Sequence, residues 1–226
     1  MIVTQRDIIL TFRRGRSSPW GHGDQWYRTG IVGPHLPPPE GRPMASEFQR
    51  RKVAGVFAAM DADGDGALRE TDFSALTARW AEIRGSAPGS PDHARLAVVM
   101  MGWWSTLLSA AEHDDRVTLD DVLRVVDRLD EMPEAVAGTA ATMFEAIDEN
   151  GDGRIDAAEY RRLIEAWSGR PTDTDEIFPL LDLDGDGHLS AEEFCRLWTE
   201  FWAGDDPRHP GTWVFGDPGI PVPQRA

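Results

Sequence analysis

The chain has 226 residues, 41% of them hydrophobic, which is enough to bury a core in one domain or in two small ones. The formal net charge is −16, and it is unevenly spread. Residues 1–43 hold six arginines and three acids, a charge of +3, which leaves −19 on the remainder. An acidic excess of this size argues against nucleic acid and anionic membranes as partners and favours cations.

Cys195 is the only cysteine, so no disulfide can form within the chain, and we expect a reducing, cytoplasmic compartment. No apolar run approaches the roughly 18 residues that a membrane helix needs. No apolar segment follows the arginines at 13 and 14, so a secretory signal is not expected either.

Residues 1–43 mix Arg, Gly, Ser and Trp without a sustained period and contain three consecutive prolines, 37–39, near their end. We predict a disordered N-terminal extension. It is either a regulatory or partner-binding tail or upstream sequence that is not translated, with Met44 as the true start. The second interpretation is favoured, because Ser46 is placed to cap a helix that begins directly after Met44.

The clearest motif is the stretch 148–159, DENGDGRIDAAE. Oxygen-bearing side chains stand at positions 1, 3, 5, 9 and 12 of this stretch, with Gly153 at position 6 and Ile155 at position 8. A hard divalent cation takes about 6–8 oxygen ligands, and a carboxylate at position 12 is long enough to bind it through both oxygens. Glycine at position 6 permits the sharp turn. This is the pattern of the twelve-residue EF-hand calcium loop.

Two further stretches, 61–72 and 182–193, follow the same pattern. The second matches at every diagnostic position. The first ends in Asp72, whose side chain is one methylene shorter than that of Glu159 or Glu193. A shorter arm binds less easily through both oxygens, so we expect weaker calcium selectivity and magnesium competition at the 61–72 loop.

A fourth stretch, 110–121, stands where a second loop belongs. Aligned on Val117 as position 8, it has Ala110 at position 1 and Asp115 in place of the turn glycine. Three acids remain in register: Glu112, Asp114 and Asp121. A weak site is the alternative, but we predict a degenerate hand that binds no calcium and whose short strand around Val117 still pairs with its neighbour.

Apolar residues recur at helical spacing on both sides of the loops. The three intact units share positions 13, 16 and 20, which are Phe73, Leu76 and Trp80; Tyr160, Leu163 and Trp167; and Phe194, Leu197 and Phe201. A single helix–loop–helix unit cannot bury its own apolar face, so such units pair. We therefore predict an all-α fold of four EF-hand units in two packed pairs, 44–133 and 134–202, with the second hand degenerate.

The tail, 203–226, contains Trp213, Val214 and Phe215, which would be costly to leave in water. We expect this tail to dock on the EF-hand body. The sequence shows no Ser–His–Asp or Cys–His arrangement, no phosphate loop and no zinc spacing among its histidines, so we predict no catalytic residues and no enzymatic activity.

With a degenerate second hand, Asp72 closing the first loop and a tail that begins Asp205-Asp206-Pro207, the chain resembles the sarcoplasmic calcium-binding protein superfamily, and within it the bacterial calerythrin-like proteins. The resemblance covers about residues 44–216 and leaves the N-terminal 43 without a counterpart. It implies a compact cytoplasmic protein with two pairs packed face to face and calcium in hands one, three and four.

The resemblance also implies the calcium ligands. These are Asp61, Asp63, Asp65, Ala67 (carbonyl) and Asp72 in the first hand; Asp148, Asn150, Asp152, Arg154 (carbonyl) and Glu159 in the third; and Asp182, Asp184, Asp186, His188 (carbonyl) and Glu193 in the fourth. The position 9 residues, Arg69, Asp156 and Ser190, would act at most through water.

Three functions fit these features: a calcium buffer or transporter with a closed body, a calcium sensor that opens an apolar groove for a partner protein, and a luciferin-type small-molecule binder of the kind found in the same superfamily. Sensors usually have adaptable, methionine-rich faces. The helices here carry bulky tryptophans instead: Trp80, Trp103, Trp104, Trp167, Trp198 and Trp202. The buffer is therefore favoured. We expect a monomer, with a protein partner left open.

Overall fold

The computed structural model describes residues 45–217, apart from the side chain of Asp130. The predicted disordered extension, 1–43, and the end of the tail, 218–226, lie outside these residues. The described helices are α1 (Glu47–Met60), α2 (Glu70–Ile83), α3 (Pro91–Ala110), α4 (Leu119–Val126), α5 (Pro133–Ile147), α6 (Ala157–Ser168), α7 (Phe178–Leu181) and α8 (Ala191–Trp202). Two short strands, β1 (Arg154–Ile155) and β2 (Leu189–Ser190), and two 3₁₀ turns, Leu129–Glu131 and Pro210–Trp213, complete them.

Each predicted loop lies between two helices, which gives four helix–loop–helix units and confirms the predicted fold class. The loops pair through short antiparallel contacts. In the C-terminal pair, Ile155 lies opposite Leu189. In the N-terminal pair, the Leu68 N–H donates to the Val117 carbonyl (2.8 Å) and the Val117 N–H donates back to the Leu68 carbonyl (2.9 Å). The degenerate hand therefore does pair with its neighbour, as predicted.

The residues that the three intact hands share at positions 13, 16 and 20 all lie in the core. None of these nine side chains is more than 2% exposed. The helical spacing therefore places one buried face on each helix that leaves a loop. Of the helices described between residues 45 and 217, none is long and apolar enough to cross a membrane.

The two pairs share one core. Trp103 on α3 packs against Trp167, Trp198 and Trp202 of the C-terminal pair, with ring centroids 5.6–6.3 Å apart. From α2, the Arg79 guanidinium donates to two carbonyl groups at the end of α6, at 3.0 and 3.2 Å. A cation at a helix C-terminus satisfies carbonyls that have no partner within their own helix.

The tail returns to the helical body. Trp213 and Val214 are buried, and the Tyr160 hydroxyl donates to the Trp213 carbonyl at 3.0 Å. The Phe215 ring lies 5.0 Å from that of Trp167 and 4.7 Å from that of Phe201, centroid to centroid.

A second contact joins the beginning of the described chain to its end. On α1, the Lys52 ammonium donates to the Gly204 carbonyl (2.7 Å) just beyond α8, and the Gln49 side-chain amide donates to the Trp202 carbonyl (3.1 Å). Lys52 is only 4% exposed, and its ammonium lies 5.0 Å from the centroid of the Phe201 ring. These contacts tie the first EF-hand helix to the last.

Candidate functional site

The aspartate at position 1 organises each intact loop. The carboxylates of Asp61, Asp148 and Asp182 each accept three hydrogen bonds from the backbone N–H groups of positions 4, 5 and 6, at 2.7–3.2 Å. This wrapping needs a left-handed backbone at position 6, where the three glycines have φ between 81° and 89°. A side chain at that position would be strained.

The carboxylate at position 12 closes each intact loop. In Asp72, Glu159 and Glu193, one oxygen accepts from the N–H of position 2 and the other from the N–H of position 9, at 2.7–3.0 Å. Burial alone would raise the pKa of Glu193, but hydrogen bonds from Ser190 and from the backbone near Leu183 lower it below its ordinary value. The group is therefore ionised at neutral pH, which its predicted role as a calcium ligand requires.

Position 7 supplies backbone rather than side chain. The N–H groups of Ala67, Arg154 and His188 each donate to the carboxylate of position 5 at 2.9 Å. That hydrogen bond orients the backbone at position 7, directly before the carbonyl group that is predicted to bind the ion. A carbonyl ligand at this position leaves the His188 imidazole outside the predicted ligand set.

Two of the loops gather oxygen atoms closely. Carboxylate oxygens of Asp61, Asp63 and Asp65 lie within 4.8 Å of one another, and those of Asp182, Asp184 and Glu193 do the same. Such an all-oxygen donor set suits a hard cation such as Ca²⁺ or Mg²⁺ and is a poor match for soft metals. The residues present fit the predicted ion.

The third loop has the same backbone arrangement with one neutral ligand. The Asn150 side-chain oxygen accepts from the Asp152 N–H (2.7 Å), and its amide nitrogen donates to the Asp152 carboxylate (3.1 Å). Asp148 and Glu159 are 9% and 2% exposed. At positions 1, 3, 5 and 12 the third loop therefore carries one fewer negative charge than the fourth, which has Asp184 at position 3.

The second loop holds a cation of its own. Asp121, at position 12, is buried and accepts from the Thr118 N–H (2.7 Å) and from the Glu112 N–H (3.2 Å). The Arg124 guanidinium contacts the Asp121 carboxylate and donates to the Glu112 carboxylate at 2.7 Å. Position 1, Ala110, is the last residue of α3 and offers no side-chain ligand. The sequence predicts that this loop lacks its first ligand and its turn glycine, but it does not single out Arg124 as a partner of Asp121.

The first loop differs from the other two intact loops at position 9. Arg69 stands there, and its guanidinium lies 3.4 Å from the Asp65 carboxylate and 3.3 Å from that of Asp115 in the second loop. A positive charge beside a predicted ligand competes with the ion. Arg69 is thus a bridge between the first and second loops rather than a ligand.

Comparisons with known proteins agree with this geometry. Residues 139–199 match the family model of the EF-hand domain pair. A sarcoplasmic calcium-binding protein, alpha-B and -A chains, from Penaeus sp. is 34% identical over 110 residues, which are 45% of this chain and 57% of that protein. The chain thus matches a little over half the length of this relative.

Two solved structures share the fold. A Streptomyces coelicolor calcium-binding protein, whose structure concerns prokaryotic calcium-mediated regulation by that protein, is 24% identical with a TM-score of 0.56, over 70% of this chain and 99% of that one. The coelenterazine-binding protein of Renilla muelleri is 19% identical with a TM-score of 0.60, over 76% and 99%. The matched pair model and the sequence similarity relate the chain to EF-hand calcium-binding proteins of the sarcoplasmic type, and the solved structures show that it shares their fold.

Proposed function

We propose that this chain is a cytoplasmic calcium buffer or transporter that acts as a monomer and binds three ions, in its first, third and fourth loops. The observation that carries the proposal is the repeated geometry of these loops. In each, the carboxylate of position 1 accepts from three backbone N–H groups of the turn, the carboxylate of position 12 closes the loop, and the carboxylate of position 5 accepts from the N–H of position 7. The second loop lacks a ligand at position 1 and already holds Arg124.

Charge supports the same proposal. The first and fourth loops each place four acids at ligand positions, and the third places three. Carboxylates gathered in this way repel one another, and a bound divalent ion relieves that repulsion. Calcium binding would therefore stabilise the folded protein by mass action. The same binding would let the protein store calcium.

Burial favours a buffer over a sensor. Among residues 45–217, Val98 is the one large hydrophobic side chain with an exposed fraction as high as 36%. Trp80, Trp167 and Trp198 are at most 2% exposed. A sensor opens an apolar groove between its helices. Here the faces that would form such a groove are packed against the other pair.

The ligand assignment is tested at position 12. Glu159→Gln and Glu193→Gln should each remove one tight calcium ion in isothermal titration, because an amide cannot supply a charged bidentate ligand. Glu192→Gln is the matched control, since it makes the same change at the preceding, exposed position. If both position 12 variants still bind as many tight ions as the control, the assignment fails.

The closed body is tested with a dye that fluoresces on apolar surface. Adding calcium to the metal-free protein should leave dye fluorescence unchanged or lower it, because the apolar faces are already covered. A several-fold increase would favour the sensor that binds a partner protein.

A second candidate function rests on unsatisfied indole groups. The Nε1–H groups of Trp103, Trp167 and Trp202 are buried and find no acceptor among the residues described. A buried indole N–H usually has a partner, and a small aromatic ligand with a carbonyl group could supply one. The fold shared with a coelenterazine-binding protein makes a luciferin-type ligand the case to examine. Native mass spectrometry of the purified protein would reveal a bound ligand as additional mass. A mass that the protein and its metal ions fully account for would count against this second function.

A further inference from the structure

The degenerate second hand has the same closing bond as the intact hands. Asp121 at position 12 accepts from the N–H of position 9, Thr118, at 2.7 Å, as Glu159 and Glu193 do in their own loops. Its side chain is buried and is therefore costly to leave charged without a counter-ion. Something other than calcium has to balance this carboxylate.

Arg124 supplies that balance. It lies three residues after Asp121, one turn along α4, and its guanidinium reaches the carboxylates of positions 12 and 3 together. These are two of the positions that are predicted to bind calcium in the intact loops. A planar guanidinium has several donors in fixed directions and can bridge two carboxylates.

The other hands show that this arrangement is specific. An arginine occupies the same position in the third and fourth hands, but Arg162 donates to Glu149 at position 2 (2.9 Å), and Arg196 donates to Glu200 on its own helix (2.8 Å). In the second hand alone, among the described residues, the arginine turns onto the carboxylate of position 12.

We propose that Arg124 is the built-in cation of the second hand, which keeps that hand closed without metal and holds the first loop in register for its ion. The link is the pair of hydrogen bonds between Leu68 and Val117, at 2.8 and 2.9 Å, with both side chains buried. In the C-terminal pair, by contrast, both paired loops carry predicted ion sites. Arg124 is thus a positioning residue for a site on a different hand.

The charge of Asp121 agrees with this role. Burial alone would raise the pKa of its carboxyl group, but hydrogen bonds from Thr118 and Glu112 and the charge of Arg124 lower it below its ordinary value. The ion pair is therefore formed throughout the neutral pH range, with or without calcium.

The first test needs no calcium. With a chelator present, the amide hydrogens of Leu68 and Val117 should exchange with solvent about tenfold more slowly than those of Ile155 and Leu189. Exchange requires local opening, and Arg124 should hold the N-terminal loops closed when no metal is bound. Arg124→Gln should remove this difference. Arg196→Gln, which removes the same charge from the same position of the fourth hand, should leave it unchanged.

Three results would overturn the proposal. They are equal exchange at the two strand pairs in the unmodified protein, no change in Arg124→Gln, and an equal change in both variants. Because these measurements are made without metal, they stand even if the proposed calcium function fails.

The second test rests on the proposed function. In calcium titration, Arg124→Gln should weaken the first site about tenfold and leave the third and fourth unchanged, because only the first loop loses its ordered neighbour. Arg124→Lys keeps the charge but loses the planar fork, so it should restore part of the affinity. Equal weakening of all three sites would show a general loss of stability, and unchanged affinity at the first site would refute the positioning role.

Discussion

At the scale of single residues, the ligand at position 12 distinguishes the first loop from the other two. Asp72 reaches the same two backbone N–H groups as the longer glutamates do, at 3.0 and 2.7 Å, and it is only 3% exposed. Because the side chain of Asp72 is one methylene shorter than that of glutamate, we expect it to bind an ion less easily through both oxygens. This geometry supports a site that calcium and magnesium share.

Lengthening this side chain should change the selectivity of the first site. We expect Asp72→Glu to raise the preference for calcium over magnesium about tenfold, because a longer carboxylate can offer both oxygens to the larger ion. Calorimetric titration with and without magnesium measures this, with Asp120→Glu on the neighbouring hand as the control. An unchanged preference would mean that Arg69, and not the ligand length, sets the selectivity.

Lys52 provides a pH-dependent signal. Burial lowers its pKa from 10.5 to about 8, an effect that the charge of Asp205 partly offsets. Between these two values the unfolded chain binds more protons than the folded one, so this group makes the free energy of unfolding rise with pH. Below pH 8 both states are protonated, and the contribution is constant.

The contribution of Lys52 can be isolated by comparison with Lys52→Met. The free energy of unfolding of the unmodified protein, minus that of the variant, should rise as the pH goes from 8 to 10. Urea denaturation at fixed free calcium measures it. Taking the difference removes the opposing effect of Cys195, whose pKa is raised by burial. A flat or falling difference would contradict the burial of a titrating lysine.

At the scale of elements, the end of α2 is joined to the third loop. Arg84, just beyond α2, has a side chain only 4% exposed. It donates to the Ala146 carbonyl at the end of α5 and lies 3.0 Å from the Asp92 carboxylate and 3.6 Å from that of Glu149. Since Ala146 and Glu149 flank Asp148, the first predicted ligand of the third loop, this arginine links the two halves beside a proposed calcium site.

Removing that link should be costly. Arg84→Met removes the cation that two partly buried carboxylates share and leaves Glu149 with Arg162 and Asp92 with Arg95, so we expect a loss of about 1–3 kcal/mol in the free energy of unfolding. Calcium affinity should fall at the third site more than at the fourth. Arg208→Met, at an exposed arginine of the tail, is the control and should not shift the melting temperature. If the free energy of unfolding falls but the calcium affinity of the third site is unchanged, Arg84 does not act on the third loop.

Much of the fold follows from the sequence at this scale. The loops have a fixed spacing of oxygen ligands and glycine, and the helices that leave them repeat the same buried positions, so local pattern suffices to predict both. The short α7 was less evident, because four residues show no helical period. The role of Arg124 could not be predicted, since Arg162 and Arg196 stand at the same position and choose different partners. That choice depends on side-chain packing rather than on spacing.

At the scale of the whole molecule, the two pairs are held together by residues far apart in the chain. Lys52 reaches the end of α8, Arg84 reaches the third loop, and Trp103 joins the aromatic core of the C-terminal pair. The sequence predicts that the apolar faces are buried. It does not predict which residues cross between the pairs, because those contacts depend on how the pairs pack.

Removing calcium should therefore affect the molecule as a unit. We expect a chelator to lower the melting temperature, because the clustered carboxylates of three loops would then repel one another without an ion. The N-terminal pair should lose less protection than the C-terminal pair if Arg124 holds its second hand closed. A melting temperature that does not respond to chelator would show that ion binding and folding are not coupled.

We propose that three loops bind calcium and that the second does not. Isothermal titration of the metal-free protein with calcium, in the absence of magnesium, counts the bound ions. We predict three ions per chain, one of them lost in Glu159→Gln and a different one lost in Glu193→Gln. Four ions in the unmodified protein would contradict this proposal. So would two ions that still bind when both substitutions are made in the same chain.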